Sequence, residues 1–239
     1  MKRFDAGQGR MTFTLRVLAH LLRYPDAELR GHLDALRAAL SEERALAAER
    51  LREIDVLLDR LRGPRPLEVE AAYVELFDRG RGTALHLFEH VLGDSRDRGP
   101  AMVDLVKTYE QAGLYLVPGE LPDHLSVVLE YASTQPPAQA AAFLGEFAHI
   151  LRSIFSALLA RESAYASVLA ALLDLAGEKA EAVRLPAEPA IDDSWEEPPA
   201  FGGCSVPGQA GPGQPQPIRI VQRPDANATP RGASPWAST

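Results

Sequence analysis

The chain has 239 residues and a formal net charge of −8, from 25 Lys+Arg against 33 Asp+Glu. That balance excludes nucleic acid as the main partner, because phosphate binding needs a basic face, and it excludes a polybasic membrane anchor. The single cysteine, Cys204, excludes an internal disulfide and fits a reducing compartment, and no 18-residue apolar run is present to cross a bilayer. Taken in chain order, residues 11–176 predict helix after helix, rich in Leu, Ala, Arg and Glu. The first covers Thr12 to Arg23 and stops at Tyr24-Pro25, since proline disfavours helix at the residue before it. Asp26 caps a second, to about Leu40, and Ser41 caps a third that reaches Leu61. In the third, Ile54, Leu57, Leu58 and Leu61 fall at i, i+3, i+4, i+7. After the breaker Gly63-Pro64-Arg65-Pro66, helices are expected over Leu67–Phe77, Thr83–Leu92 and from Pro100 to Gly113. Pro122 opens another through Ser133. Pro136 and Pro137 open the longest, with Phe143, Phe147, Ile150, Leu151, Ile154 and Leu158 on one stripe. The last runs from Ala164 to Ala176 and ends at Gly177.

The end of the chain reads differently. Residues 186–239 hold 11 of the 19 prolines and six glycines, a level at which disorder is the default. The expected organisation is therefore all-α. Residues 1–185 form a compact single-domain bundle of about nine helices, and residues 186–239 a Pro/Gly-rich tail, mostly disordered after about Gly203. A front part of that length buries roughly 70% of its unfolded surface, enough for a core without metal or disulfides. The apolar stretch near the N-terminus is broken by Arg16, so no signal peptide is expected and the chain is placed in the cytoplasm.

Three features bear on chemistry. His86-Leu87-Phe88-Glu89-His90 spells H-x-x-E-H, the signature of inverted zinc metallopeptidases. On one helix, His86 and His90 would share a face and Glu89 would act as general base. A third ligand, such as Glu110 or Glu130, is not singled out by spacing, and a five-residue pattern also arises by chance, which leaves His86 and His90 as a pair on a half-buried amphipathic helix. In Leu121-Pro122-Asp123-His124-Leu125 the proline puts Asp123 and His124 in a first helical turn. There the helix dipole stabilises a carboxylate. The alternative use of that end is a groove, with Asp123 an acceptor for a basic peptide and His124 a hydrogen-bonding edge. Finally, Tyr73, Leu76 and Phe77 fall at i, i+3, i+4, a spacing that suits core or a groove for an amphipathic helix. Glu75, Asp104, Glu110, Glu120 and Glu130 are further carboxylates whose common face the sequence does not set.

Three stretches carry a resemblance: Tyr73-Val74-Glu75-Leu76-Phe77-Asp78, residues 85–114, and residues 120–133. Together they resemble the nitrate reductase delta subunit family of molybdenum cofactor assembly chaperones, within the wider redox-enzyme maturation chaperones. Trp195-Glu196-Glu197-Pro198-Pro199 with Phe201 is similar to the family's C-terminal region, so the resemblance covers roughly residues 12–202. It implies an all-helical cytoplasmic chaperone, not an enzyme, that binds the N-terminal peptide of the catalytic (alpha) subunit of respiratory nitrate reductase. Such a chaperone assists molybdenum cofactor insertion and complex assembly before membrane attachment. It implies no stably bound cofactor, at most a transient contact with the client's molybdenum cofactor, and no metal at His86, Glu89 and His90. The family's Pro-Asp-His element falls on Pro122, Asp123 and His124, and its Tyr/Phe-rich element on Tyr73, Leu76 and Phe77. The expected peptide groove is lined by these residues with Leu125 and Leu129. A zinc metallopeptidase and a helical adaptor with no redox link are the rival readings.

Overall fold

The computed structural model describes residues 10–93 and 95–185, and the tail from residue 186, including Trp195–Phe201 and the expected disorder beyond Gly203, lies outside the described residues. Eleven α-helices are seen among the described residues: α1 (Thr12–Leu21), α2 (Ala27–Gly31), α3 (Leu33–Glu43), α4 (Ala48–Leu61), α5 (Pro66–Phe77), α6 (Leu87–Val91), α7 (Arg98–Gln111), α8 (Leu125–Thr134), α9 (Pro137–Glu146), α10 (Ala148–Ala160) and α11 (Ala166–Leu175). A single 3-10 turn, Arg81–Thr83, sits between α5 and α6. No strand occurs among the described residues, so the all-α expectation holds.

Apolar periodicity explains the centre. Leu15, Leu18 and Leu21 on α1, Leu125 and Leu129 on α8, and Ile54 and Leu58 on α4 are fully enclosed. Nine of the ten residues of α11 are buried, which makes it the central helix, packed against α10, α4 and α9. Each enclosed Leu or Ile contributes roughly 1.5–3 kcal/mol of transfer free energy. Beside them, Tyr73, Phe77 and Tyr165 interlock, with centroids 4.8 Å (Tyr73–Phe77) and 4.9 Å (Phe77–Tyr165) apart.

The helix count exceeds nine because two expected helices are each broken by a single residue. His32 separates α2 from α3, with its Nδ1 against the Glu28 carbonyl oxygen at 2.8 Å. Phe147 separates α9 from α10, and the two axes bend by 69°. The expected continuous stripe is thus split. Ile150, Leu151, Ile154 and Leu158 enter the core, while Phe143 and Phe147 stay half-buried. Asp26 caps α2 as expected: its carboxylate accepts from the Leu29 N–H at 2.8 Å. Ser41, expected to cap the next helix, instead lies inside α3 and donates to the Arg37 carbonyl at 3.0 Å, because α3 runs on to Glu43. The start of α1 is capped from afar instead: the Glu43 carboxylate accepts from the N–H groups of Phe13 (3.1 Å) and Thr14 (2.6 Å).

Gly80 is fixed by space. A Cβ there would lie 2.6 Å from the Leu76 carbonyl oxygen and collide with Thr83 Oγ1 and the Arg161 guanidinium. Gly80→Ala is expected to cost about 1–3 kcal/mol through this overpacking, read as a lower denaturation midpoint at unchanged slope. A midpoint equal to the parent's would show that the turn relaxes freely.

Candidate functional site

The segment between the 3-10 turn and α6 pairs with the start of α8 as an isolated antiparallel bridge, His86 opposite His124. The Leu87 N–H donates to the Asp123 carbonyl (3.0 Å) and the Leu125 N–H to the Leu85 carbonyl (2.8 Å). This pairing decides the fate of both histidine motifs. His86 is extended backbone ahead of α6, not a helical residue, so it and His90 do not share a helix face. His90 Nε2 meets the Ala84 carbonyl at 2.8 Å, Glu89 pairs with Arg98, and His86 faces Asp123. The H-x-x-E-H residues therefore diverge, and no group of three His, Cys, Asp or Glu converges for a metal among the described residues.

Asp123 is likewise not in a first helical turn. α8 begins at Leu125 with His124 as its N-cap, and the Asp123 carboxylate is fully buried. It accepts from the Phe88 N–H at 3.2 Å, with His86 Nδ1 at 3.5 Å and the Arg98 guanidinium at 3.7 Å. Burial pushes this carboxyl up, but the facing His86, the Phe88 N–H and Arg98 together hold it below the ordinary carboxylate range. The same Asp123 interaction, opposed by desolvation, raises the His86 pKa. His124 goes the other way. Burial, with the nearby His86 charge, pushes it down to about 4, so the ring is neutral near pH 7. Its Nδ1 accepts from Ser126, whose Oγ lies at 2.7 Å.

The remaining predicted residues separate. Leu125 and Leu129 are completely enclosed against α1, and Phe77 is buried behind Tyr73. Tyr73 and Leu76 do line an open groove, with Val69, Arg65 and Tyr165, where α5 meets α4 and the α10–α11 corner. Asp123 and His124 are held apart from that groove, in the bridge between residues 85–87 and 123–125.

Sequence reasoning missed a second groove, about 350 Å³, between α1, the end of α7 and α8. Tyr109 and Tyr131 form one wall, with ring centroids 4.9 Å apart. Leu114, Val117 and Val127 add apolar surface, and Glu120 and Glu130 stand at the edge, bridged by Arg23 at 3.2 and 3.8 Å. A legible signal existed: Leu114-Tyr115-Leu116-Val117 is an apolar run between Gly113 and Pro118, which a solvated loop has no reason to carry. Of the other carboxylates, Glu75 pairs with Arg79 and Asp104 with Lys107. No single helix among the described residues is long and apolar enough to cross a membrane.

Residues 23–171 match the family model described as nitrate reductase delta subunit. Escherichia coli K12 NarJ, named a nitrate reductase molybdenum cofactor assembly chaperone, is 43% identical over 193 residues, covering 77% of this chain and 82% of NarJ. NarW of the same organism, described as the same kind of chaperone, is 39% identical over 196 residues, covering 77% of this chain and 80% of NarW. A solved Archaeoglobus fulgidus protein, classed as a redox enzyme maturation protein, superposes with a TM-score of 0.50 at 20% identity, covering 74% of this chain and 100% of that one. That last likeness concerns the fold. With most of its length inside the family match, the chain belongs to the nitrate reductase delta subunit family.

Proposed function

We propose that this protein is an assembly chaperone for a respiratory molybdenum nitrate reductase. It binds the N-terminal peptide of the catalytic subunit in the cytoplasm before that subunit joins the membrane complex, and supports cofactor insertion by holding the client rather than by catalysis. Family membership supports the chaperone role. The observation that carries the binding mode is the groove walled by Tyr109 and Tyr131 and edged by Glu120 and Glu130. An amphipathic helix with a basic flank suits it: apolar side chains seat between the tyrosines, and lysine or arginine displaces Arg23 from the two glutamates. The reading contains no resident cofactor, and contact with the client's molybdenum cofactor is transient. The residues of H-x-x-E-H are committed to other partners, which leaves the peptidase reading without a site.

Two effects separate in calorimetry with the client's N-terminal peptide. Tyr131→Ala is expected to cost about 2 kcal/mol, roughly thirtyfold in Kd, at low and high salt alike. Glu120→Gln is expected to cost about 0.2–1 kcal/mol, and only at low salt. Leu76→Ala, in the other groove, is expected to bind like the parent. A folded Tyr131→Ala protein with parental affinity, or a Leu76→Ala protein that loses binding, would move the site to the Tyr73 groove.

A further inference from the structure

The helix α7 covers the bridge that holds Asp123, and it is held lightly. Only Leu105 and Tyr109 of its fourteen residues are buried, against eight of the thirteen residues in α10. Val103 on its outer side is more than half exposed. Its tie at the C-terminal end is Tyr109, whose hydroxyl donates to the Pro122 carbonyl at 2.8 Å and whose ring forms the groove wall with Tyr131. Its tie at the N-terminal end is Arg98, shared between Glu89 at 3.3 Å and Asp123 at 3.7 Å. Beyond Gln111 the chain turns at Gly113, whose φ of +77° is open to glycine at little cost.

The Arg98 tie is poorly made. Arg98 Nε has no hydrogen-bond partner, and Asp123 Oδ1 and His86 Nδ1 face each other only as a long ion pair at 3.5 Å, without a hydrogen bond. A buried carboxylate whose two cationic neighbours stand at 3.5 and 3.7 Å is held less well than one with close charged donors, so a closer cation competes for Asp123. Few buried apolar contacts and an incompletely satisfied polar tie are the marks of a segment that opens locally.

We infer that Arg98 is an internal stand-in for a client cation: it latches the N-terminal end of α7 over Asp123, and a lysine or arginine of the incoming amphipathic helix replaces it on that carboxylate as that end lifts, with Tyr109 keeping its place in the groove wall. The ligand class is a cationic side chain on an otherwise apolar helix face, and the inference rests on the proposed peptide binding. Its physical content is competition. While the latch is closed only a fraction of molecules is competent, and apparent affinity is lowered by that fraction. Removing Arg98 therefore tightens binding although it removes a contact, the opposite of what a residue that binds the peptide directly would do.

The test combines amide exchange with calorimetry on the full chain. The probes are a synthetic amphipathic peptide carrying two arginines and the same peptide with both replaced by glutamine. In Arg98→Ala, amides at the N-terminal end of α7 are expected to exchange about tenfold faster while those of α1 and α8 keep parental rates. The arginine peptide is expected to bind about tenfold tighter than to the parent and the glutamine peptide much less so. Arg98→Gln, which keeps most of the stem packing, repeats the measurement if the alanine protein does not fold. Asp123→Asn is expected to reduce the discrimination between the two peptides to the smaller part that Glu120 and Glu130 supply. Parental exchange in α7, or weaker binding of the arginine peptide to Arg98→Ala, overturns the latch. Failure of both peptides to bind the parent overturns the proposed peptide binding and the displacement step together, an outcome distinct from unchanged α7 exchange.

Discussion

Leu129→Ala is expected to lower stability by about 2–5 kcal/mol, because Leu129 is fully enclosed between α8 and α1 and its truncation leaves a cavity. For a domain of this size each kcal/mol moves the melting temperature by roughly 2–4 °C, so a fall of about 4–20 °C is anticipated. Thermal melts followed by circular dichroism measure it. The prediction separates two roles that spacing alone leaves equal. A leucine in an open peptide groove would lose affinity on truncation and keep stability. A leucine in the core loses stability, and affinity changes only as far as the fold suffers. A variant that melts like the parent but no longer binds peptide would return Leu129 to the groove.

Stability is also expected to fall as pH is lowered from about 6.5 towards 4, and His124 is the cause. Its folded pKa is pushed down to about 4, first by burial and next by the charge of His86, against an ordinary value of 6.5. The unfolded chain therefore takes up a proton that the folded chain resists. The stabilisation is fully present above pH 6.5, is lost as pH falls, and amounts to roughly 3 kcal/mol over the window. His86 acts in the opposite sense. Its folded pKa lies above the ordinary value, so its contribution is complete below pH 6.5 and is lost as pH rises through the folded value. Asp123, held below the ordinary carboxylate range, loses its contribution only at still lower pH. Denaturant titrations between pH 8 and 4.5 distinguish the three. His124→Gln is expected to flatten the decline between 6.5 and 4.5, and His86→Gln to leave it in place. An unchanged acid slope in His124→Gln would show that another group carries it.

Both predictions turn on where long-range pairing puts a residue, and this marks the boundary of what sequence reading reaches. The helices themselves are set by short-range terms. The spacing of Ile54, Leu57, Leu58 and Leu61 requires one buried face, and all four are buried. Asp26 caps α2 because an acceptor three residues ahead of Leu29 has only local geometry to satisfy. The carboxylates Glu120 and Glu130 were legible as charges on either side of the α8 start, and the groove adds that both reach one site. Tyr73 and Leu76 were legible as one face of α5, and both do line a groove.

The sequence by itself thus determined an all-α chain with its apolar faces and the Asp26 cap, because helix periodicity and capping act within a few residues. Tertiary structure alone decided the rest. His86 leaves the helix because Leu85 and Leu87 hydrogen-bond to a segment almost forty residues away, and that dismantles H-x-x-E-H. Asp123 is buried because the same bridge brings it against the Phe88 N–H and beneath Arg98, so an apparent surface acceptor becomes an interior anion. Phe77, Leu125 and Leu129 became core because an apolar face is alike whether it meets another helix of its own chain or a client. Only the packed neighbours, α1 for Leu125 and Leu129 and the Tyr73 and Tyr165 rings for Phe77, distinguish the two.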